Sequence, residues 1–324
     1  MEGQSKPMLK ESVKAGVEGQ TVVSLKTGQV HLGDCREVLK TFPDNCIDLI
    51  VTSPPYADNR KTTYGGIPPS EYVEWFLPIS AELKRVLKPD GSFILNVKER
   101  VVEGERGTYI YELVMKMREQ GWLWTEEYIW HKKNTYPGKW PNRFRDLWEH
   151  CYHFTKSKKF RIYQDAVMVP IGEWAERRLK SLGENDLIRY ESKTKSGFGK
   201  NVSNWKKREL VYPGNVLHLA TESSNKNHSA AFPVELPLWF IKLLTRHGDI
   251  VLDPFLGSGT SAVASIRLGR RYVGIEKDES YFRIATRRIA EEDKTPLEEV
   301  WGAPEAVGDD SPRATLETNR EVSD

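Results

Sequence analysis

Ser53-Pro54-Pro55-Tyr56 follows directly on an apolar run, Ile47-Asp48-Leu49-Ile50-Val51-Thr52, that reads as a short buried strand. Two successive prolines lack N–H donors and fix φ, so the chain leaves the sheet as a stiff corner that presents carbonyls. An aromatic ring comes next. Such a corner suits gripping a flat polar ring, and a nucleobase is one; a Pro-Pro turn whose tyrosine packs on the core is the structural alternative. Ser53 Oγ and the Pro54 carbonyl can accept the protons of an exocyclic amine and leave its nitrogen lone pair freer, with Tyr56 stacked on the ring.

A second signal lies about 200 residues downstream. Asp253-Pro254-Phe255-Leu256-Gly257-Ser258-Gly259-Thr260 joins a strand ending at Leu252 to the helix that follows. Glycines at a strand-to-helix turn let a ligand approach the backbone and open the helix N-terminus toward it. The third glycine of a dinucleotide fingerprint is missing. Glu276 ends the next strand, 19 residues after Gly257, where an acid can hydrogen-bond ribose hydroxyls. A tight turn and an exposed glutamate would be the plain structural reading of the pair. Asp253 at the loop start disfavours a phosphate and suits a cationic group. S-adenosylmethionine has a ribose, an ammonium and a sulfonium, and no phosphate. A GxxxxGK[ST] phosphate cradle does not occur.

The elements that must position these residues alternate. Strands are expected over 30–34, 46–52, 92–97, 123–131, 148–154, 249–252 and 271–275. Helical patterns fall over 35–40, 70–87, 110–120, 233–246, 258–268 and 280–290. The helix from Ser70 carries the stripe Val73, Phe76, Leu77, Leu83, Val86 and Leu87, with Pro78 as a kink. Residues 57–70, with Gly65-Gly66 and Pro68-Pro69, read as a mobile loop. Trp130 reads as core. The alternation implies an α/β fold with a mostly parallel sheet covered by helices.

Hydrophobic content of 39% and charged content of 29% are those of an ordinary globular chain, and no apolar run approaches the roughly 20 residues of a membrane span. Cys35, Cys46 and Cys151 have no metal-ligand spacing, and seven histidines show no HExxH pairing. The cysteines and the lack of a signal core point to a reducing cytoplasm. A net charge of +2 conceals an uneven distribution. Residues 151–215 hold 14 Lys+Arg against 7 Asp+Glu, and residues 291–324 hold 3 against 11. The basic middle suits a polyanion. The expected organisation is a flexible leader (1–20), two halves of one domain (21–160 and 216–292), an inserted region (161–215) and an acidic, disordered tail (293–324).

Ser-Pro-Pro-Tyr near the N-terminus with Asp-Pro-Phe-Leu-Gly-Ser-Gly-Thr near the C-terminus resembles the β-class amino-methyltransferases of DNA, whose catalytic motif precedes the cofactor motif. Serine ahead of Pro-Pro-Tyr is similar to the cytosine-N4 members; adenine-N6 members more often carry aspartate. The resemblance implies a circularly permuted Rossmann-like domain that uses S-adenosylmethionine. It implies double-stranded DNA as substrate and a cognate restriction endonuclease in the same system. It places Ser53, Pro54, Pro55 and Tyr56 at a flipped cytosine. Asp253, Pro254, Phe255, Gly257, Ser258, Gly259 and Thr260 would surround the amino-acid part and sulfonium of the cofactor, with Glu276 on the ribose. Asp34 would accept from the adenine amine, an N-cap role being its rival. His228, Phe232 and Pro233 would close over the methionine end. The 161–215 insertion becomes a target-recognition region, with Lys193, Lys195, Lys200, Lys206, Lys207 and Arg208 facing DNA, and Arg143 and Arg145 with Trp140 on the flipped-base side. Adenine-N6 methylation, a silent DNA-binding protein, and a small-molecule or RNA methyltransferase are the alternatives.

Overall fold

In chain order the main sheet is built from β1 (Val22–Ser24), β2 (Gly28–Leu32), β3 (Ile47–Thr52), β4 (Leu87–Val97), β5 (Leu123–Lys132), β6 (Trp148–Thr155), β7 (Val216–Leu219), β8 (Ile250–Asp253) and β9 (Arg271–Glu276). The helices are α1 (Cys35–Val38), α2 (Pro69–Val86), α3 (Tyr109–Glu119), α4 (Glu235–Leu244), α5 (Thr260–Arg267) and α6 (Glu279–Asp293). The computed structural model describes residues 21–57, 66–135, 137–138, 141–173, 177, 180–181, 188–189, 200–201, 209–221 and 232–294. The leader, residues 58–65 of the loop expected before α2, and residues 295–324 of the tail fall outside them.

The sheet runs β1-β2-β9-β8-β3-β4-β6-β5-β7. β2, β9, β8, β3 and β4 are parallel to one another, and β7 is parallel to β5. β6 is antiparallel to both its neighbours, as β1 is to β2. β3 is buried at all six positions, as a parallel strand covered on both faces must be. Helices α1, α2 and α3 cover one face over Phe76, Leu83, Phe93 and Trp122. α4 covers the other over Leu49, Val51, Ile94 and Phe240, where Trp130 is buried at 4% exposure. A third cluster, Val30, Val263, Tyr272, Phe282 and Ile289, seals β2 and β9 beneath α5 and α6.

β3 and β8 are neighbours, and the chain leaves them in opposite directions. From β3 it passes through α2 to β4; from β8 it passes through α5 to β9. Two crossovers that diverge from adjacent strands leave a crevice at the carboxyl ends of those strands, the usual ligand position in an open α/β sheet.

Several boundaries depart from the expected ones. α2 begins at Pro69 and runs unbroken through Pro78. Its buried face is Tyr72, Phe76, Ile79, Ser80, Leu83 and Val86, while Val73 and Leu77 are only partly buried. α4 starts at Glu235, with the Pro233 carbonyl accepting from Leu236 N–H. α6 continues to Asp293, whose carboxylate accepts from the Thr27 N–H (3.1 Å) and hydroxyl (3.2 Å). Arg161 bridges Asp48, Asp90 and Asp249, and Val167 lies in the core beneath α4, so residues 161–168 belong to the main body rather than to an insertion. The excursion opens at Val169–Pro170, which pairs antiparallel with Leu210–Val211. Within it Ile188–Arg189 pairs with Lys200–Asn201.

Candidate functional site

A cavity of about 400 Å³ opens at the carboxyl ends of β2, β3, β8 and β9, within the size range of small-molecule sites. Asp34, Ser53, Pro54, Pro55, Tyr56, Phe232, Asp253, Pro254, Phe255, Gly257, Ser258, Thr260 and Glu276 all line it. Residues from both distant motifs therefore meet in one space. Pro233 is buried beside Phe232 without lining the cavity, and His228 lies outside the described residues.

The loop after β8 is fastened by its own aspartate. The Asp253 carboxylate is buried and accepts from the Thr52 hydroxyl (2.6 Å), the Ser261 hydroxyl (2.6 Å) and the Phe255 N–H (3.1 Å). Burial pushes its acid up, and those three donors pull it back. The carboxylate thus ties β3, β8 and α5 together instead of facing a cation openly. Gly257 (φ 54°) and Gly259 (φ 87°) take left-handed conformations that favour glycine. Gly259 is not on the cavity wall, contrary to the expectation from the motif. A Cβ on it would meet Ile289 of α6 at 3.1 Å, so its absence serves helix packing. Arg288 of α6 donates to the Ser258 carbonyl (3.3 Å) and the Thr260 hydroxyl (3.0 Å), bracing the same loop.

Glu276 is 3% exposed, which removes the reading of it as an exposed glutamate. Its carboxylate accepts from the N–H of Gly257 (2.7 Å) and of Asp278 (2.8 Å). Burial pushes its pKa up to about 7, with these two N–H groups acting in the opposite direction. Asp34 is the N-cap of α1, accepting from Arg36 N–H at 3.0 Å. The Arg36 guanidinium also donates to both its oxygens, and holds the acid down at about 2 against burial. Asp34 nonetheless lines the cavity, so cap and wall coincide in one residue.

At the proline corner the Ser53 hydroxyl donates to the Tyr56 oxygen (3.3 Å), and the Tyr56 hydroxyl donates to Glu149 Oε2 (2.6 Å). Asn96 Oδ1 stands 3.5 Å from the Tyr56 hydroxyl, and Lys132 donates to the other Glu149 oxygen. Sequence reasoning missed Asn96, Glu149 and Lys132. They sit singly on β4, β6 and β5, and only strand pairing brings them together. It also missed the apolar wall of Ile67, Trp75, Ile79 and Leu256; Trp75 packs on Phe255 with ring centroids 5.7 Å apart.

Burial raises the thiols of Cys35 and Cys46 to about 12 and about 11, and raises Cys151 further, so none is a ready thiolate. Arg143 donates to Asp146 (3.0 Å) and Arg145 to the Thr135 carbonyl (3.3 Å); both lie on the loop leading into β6, off the cavity wall. The side chain of Lys200, and Trp140, Lys193, Lys195, Lys206, Lys207 and Arg208 entirely, lie outside the described residues. The described residues hold no group of three or more His, Cys, Asp or Glu that could bind a metal ion, and none of their helices is long and apolar enough to cross a membrane.

The arrangement has relatives. A family model described as DNA methylase, covering N6 and N4 enzymes, matches residues 47–287. Type II methyltransferase M.PvuII of Proteus hauseri is 31% identical over 297 residues, spanning 83% of this chain and 87% of its own. Type II methyltransferase M.Cfr9I of Citrobacter freundii is 29% identical over 81% of this chain and 87% of its own. Among solved structures, PvuII DNA methyltransferase (cytosine-N4-specific) superposes with a TM-score of 0.62 at 24% identity, covering 86% of this chain and 95% of that one. A putative DNA modification methylase from Thermus thermophilus, complexed with S-adenosyl-L-methionine, superposes with a TM-score of 0.54 at 24% identity, covering 81% and 93%. The sheet and its helices are thus the α/β fold of the S-adenosylmethionine-dependent methyltransferases. With the family model matched from β3 to α6, the chain belongs to the N6/N4 DNA methylases.

Proposed function

We propose that this DNA methyltransferase moves the methyl group of S-adenosylmethionine to the exocyclic N4 amine of a cytosine flipped out of double-stranded DNA, as the modification arm of a restriction–modification system. The observation that carries this reading is the meeting of Ser53-Pro54-Pro55-Tyr56 and Glu276 in one cavity. The names of its relatives, Type II methyltransferases, and of the cytosine-N4-specific structure point the same way. An endonuclease that cuts the same unmodified sequence is the expected functional partner, and the cytoplasm, with its DNA, the expected place of action.

The cavity fits the cofactor. Glu276 is a buried carboxylate with two N–H donors, and two ribose hydroxyls would add the donors its charge needs. Phe255, Trp75 and Ile79 would offer an apolar wall to the adenine ring, and Asp34, on the lining of the same cavity, would accept from its amine. Phe232, Gly257, Ser258 and Thr260 would border the methionine end. When bound, S-adenosylmethionine supplies an electrophilic methyl group on a sulfonium.

The protein's task is positioning. A cytosine N4 lone pair is delocalised into its ring and is out of reach inside a duplex, so the base must leave the stack. Ser53 Oγ and the Pro54 carbonyl accept from the amine and favour a more tetrahedral nitrogen, and the Tyr56 side of the corner sets the plane of the ring. No covalent enzyme intermediate is needed, which agrees with three cysteines held as thiols by burial. Ser53→Ala removes one acceptor that matters most as charge develops on the nitrogen. It is expected to lower kcat on the order of 10²-fold with little change in cofactor affinity. Methyl incorporation into DNA checks this; an unchanged kcat would remove Ser53 from the site.

A further inference from the structure

We infer that Glu149 is a positioning residue that fixes the direction of the hydrogen bonds at the proline corner, and so makes the corner select an amino group over a keto oxygen. The inference rests on the reading of Ser53-Pro54-Pro55-Tyr56 as the base-holding corner. It starts from a buried carboxylate that no part of the proposed chemistry uses.

Glu149 is 6% exposed. A carboxylate only accepts, so the Tyr56 hydroxyl, 2.6 Å from Oε2, is the donor. Among the described residues, the other polar group bonded to the Tyr56 hydroxyl is an acceptor too. Asn96 directs its NH2 to the His150 carbonyl (3.0 Å) and to Glu149 Oε2 (3.3 Å), which leaves Oδ1 facing the phenol at 3.5 Å. The phenol's single proton therefore points down, toward Glu149, and its oxygen is left to accept. Ser53 Oγ, 3.3 Å away, gives that oxygen its own single proton. What Ser53 then presents to the cavity is lone pairs. Pro54 and Pro55 carry no N–H, so those two positions add no backbone donor.

A base edge set against this surface has to bring a hydrogen. The N4 amine of cytosine and the N6 amine of adenine do; the O4 of uracil or thymine does not. A keto oxygen here would face serine lone pairs with no donor between them. Lys132 holds the chain's far end in register. Its ammonium donates to Glu149 Oε1 while standing 5.1 Å from the centre of the Trp130 ring, which keeps Oε2 turned to Tyr56. The reversed course of β6 explains how Glu149 reaches the corner. As the second residue of a strand antiparallel to β4, it enters the sheet at the end where β3 and β4 leave it.

The test is equilibrium binding of a duplex that carries the chain's own methylation site, read beforehand from modified DNA. S-adenosylhomocysteine is present, the target position holds cytosine or uracil, and an abasic position lies opposite in both so that the opening costs match. The unaltered chain is expected to prefer cytosine by about tenfold or more, the worth of one well-made hydrogen bond. In Glu149→Gln, Lys132 holds the amide oxygen and the NH2 faces Tyr56, so the ordered direction is lost. This variant is expected to cut the cytosine preference by about fivefold, what remains being the share of the Pro54 carbonyl, with S-adenosylhomocysteine affinity unchanged. Tyr56→Phe keeps the ring, removes the hydroxyl, and is expected to lower the preference in the same way; it decides the matter if Glu149→Gln no longer binds S-adenosylhomocysteine. An undiminished cytosine preference in a variant with intact S-adenosylhomocysteine binding overturns the inference. Failure of the unaltered chain to methylate DNA overturns the underlying reading instead.

Discussion

Glu276 is where burial has its clearest chemical consequence. Its pKa near 7 lies above the ordinary 4.5, so the folded chain favours the protonated acid, and this group costs stability as pH rises from 4.5 through 7. On the proposed reading, ribose hydroxyls would donate to the carboxylate form. Cofactor affinity is therefore expected to rise with pH through 7, with release of a proton, and to fall by up to about tenfold per pH unit below it. Calorimetric titration with S-adenosylmethionine on either side of pH 7 checks this; Glu276→Gln should bind weakly with a flat pH profile. At this scale the legible residues were those whose types dictate backbone geometry. Two prolines make a corner, and Gly257 with an acid 19 residues on suggests a ribose site when a strand precedes them. Glu149, Asn96 and Lys132 carry no such mark. Each is one polar residue in a strand pattern, and its meaning comes from partners 17 to 93 residues away.

The elements that matter most are the two strands whose crossovers diverge. β3 and β8 are held at their carboxyl ends by Thr52 and Ser261 donating to Asp253, the residue that also starts the glycine loop. Asp253→Ala leaves two buried hydroxyls without an acceptor and frees the Phe255 N–H. A loss of about 3 kcal/mol is expected, measured as a lower urea midpoint at an unchanged slope. A midpoint within error of the unaltered chain would mean that the loop is fastened elsewhere. Sequence patterns located every strand flanking the cavity, because buried parallel strands are short apolar runs between turns. They placed element ends less well. α6 overran its expected end because Asp293 is anchored by Thr27, across 266 residues that no local pattern spans. The buried stripe of α2 was displaced for a related reason. Val73 and Leu77 read as core by hydrophobicity, yet the face toward the sheet takes Tyr72 and Ile79 instead.

At the scale of the whole molecule, a formal charge of +2 hides a basic middle and an acidic end. The excursion that opens at Val169 and returns at Leu210 carries most of the Lys and Arg of that middle, and β7 then rejoins the sheet beside β5. If this excursion grips DNA, replacing Lys206, Lys207 and Arg208 by alanine lowers the dependence of log affinity on log salt by about 0.9 for each phosphate no longer neutralised. An unchanged salt slope would place the DNA-binding surface elsewhere. Neither the excursion's structure nor its target sequence was legible from the chain, since a charged stretch with isolated tryptophans has no period to read. The most direct test of the cytosine-N4 assignment is the nucleoside content of DNA from a methylation-free host that expresses this protein, resolved by mass spectrometry after complete digestion. N4-methylcytosine is the expected product, at a lower level in the Ser53→Ala control; N6-methyladenine alone would contradict it.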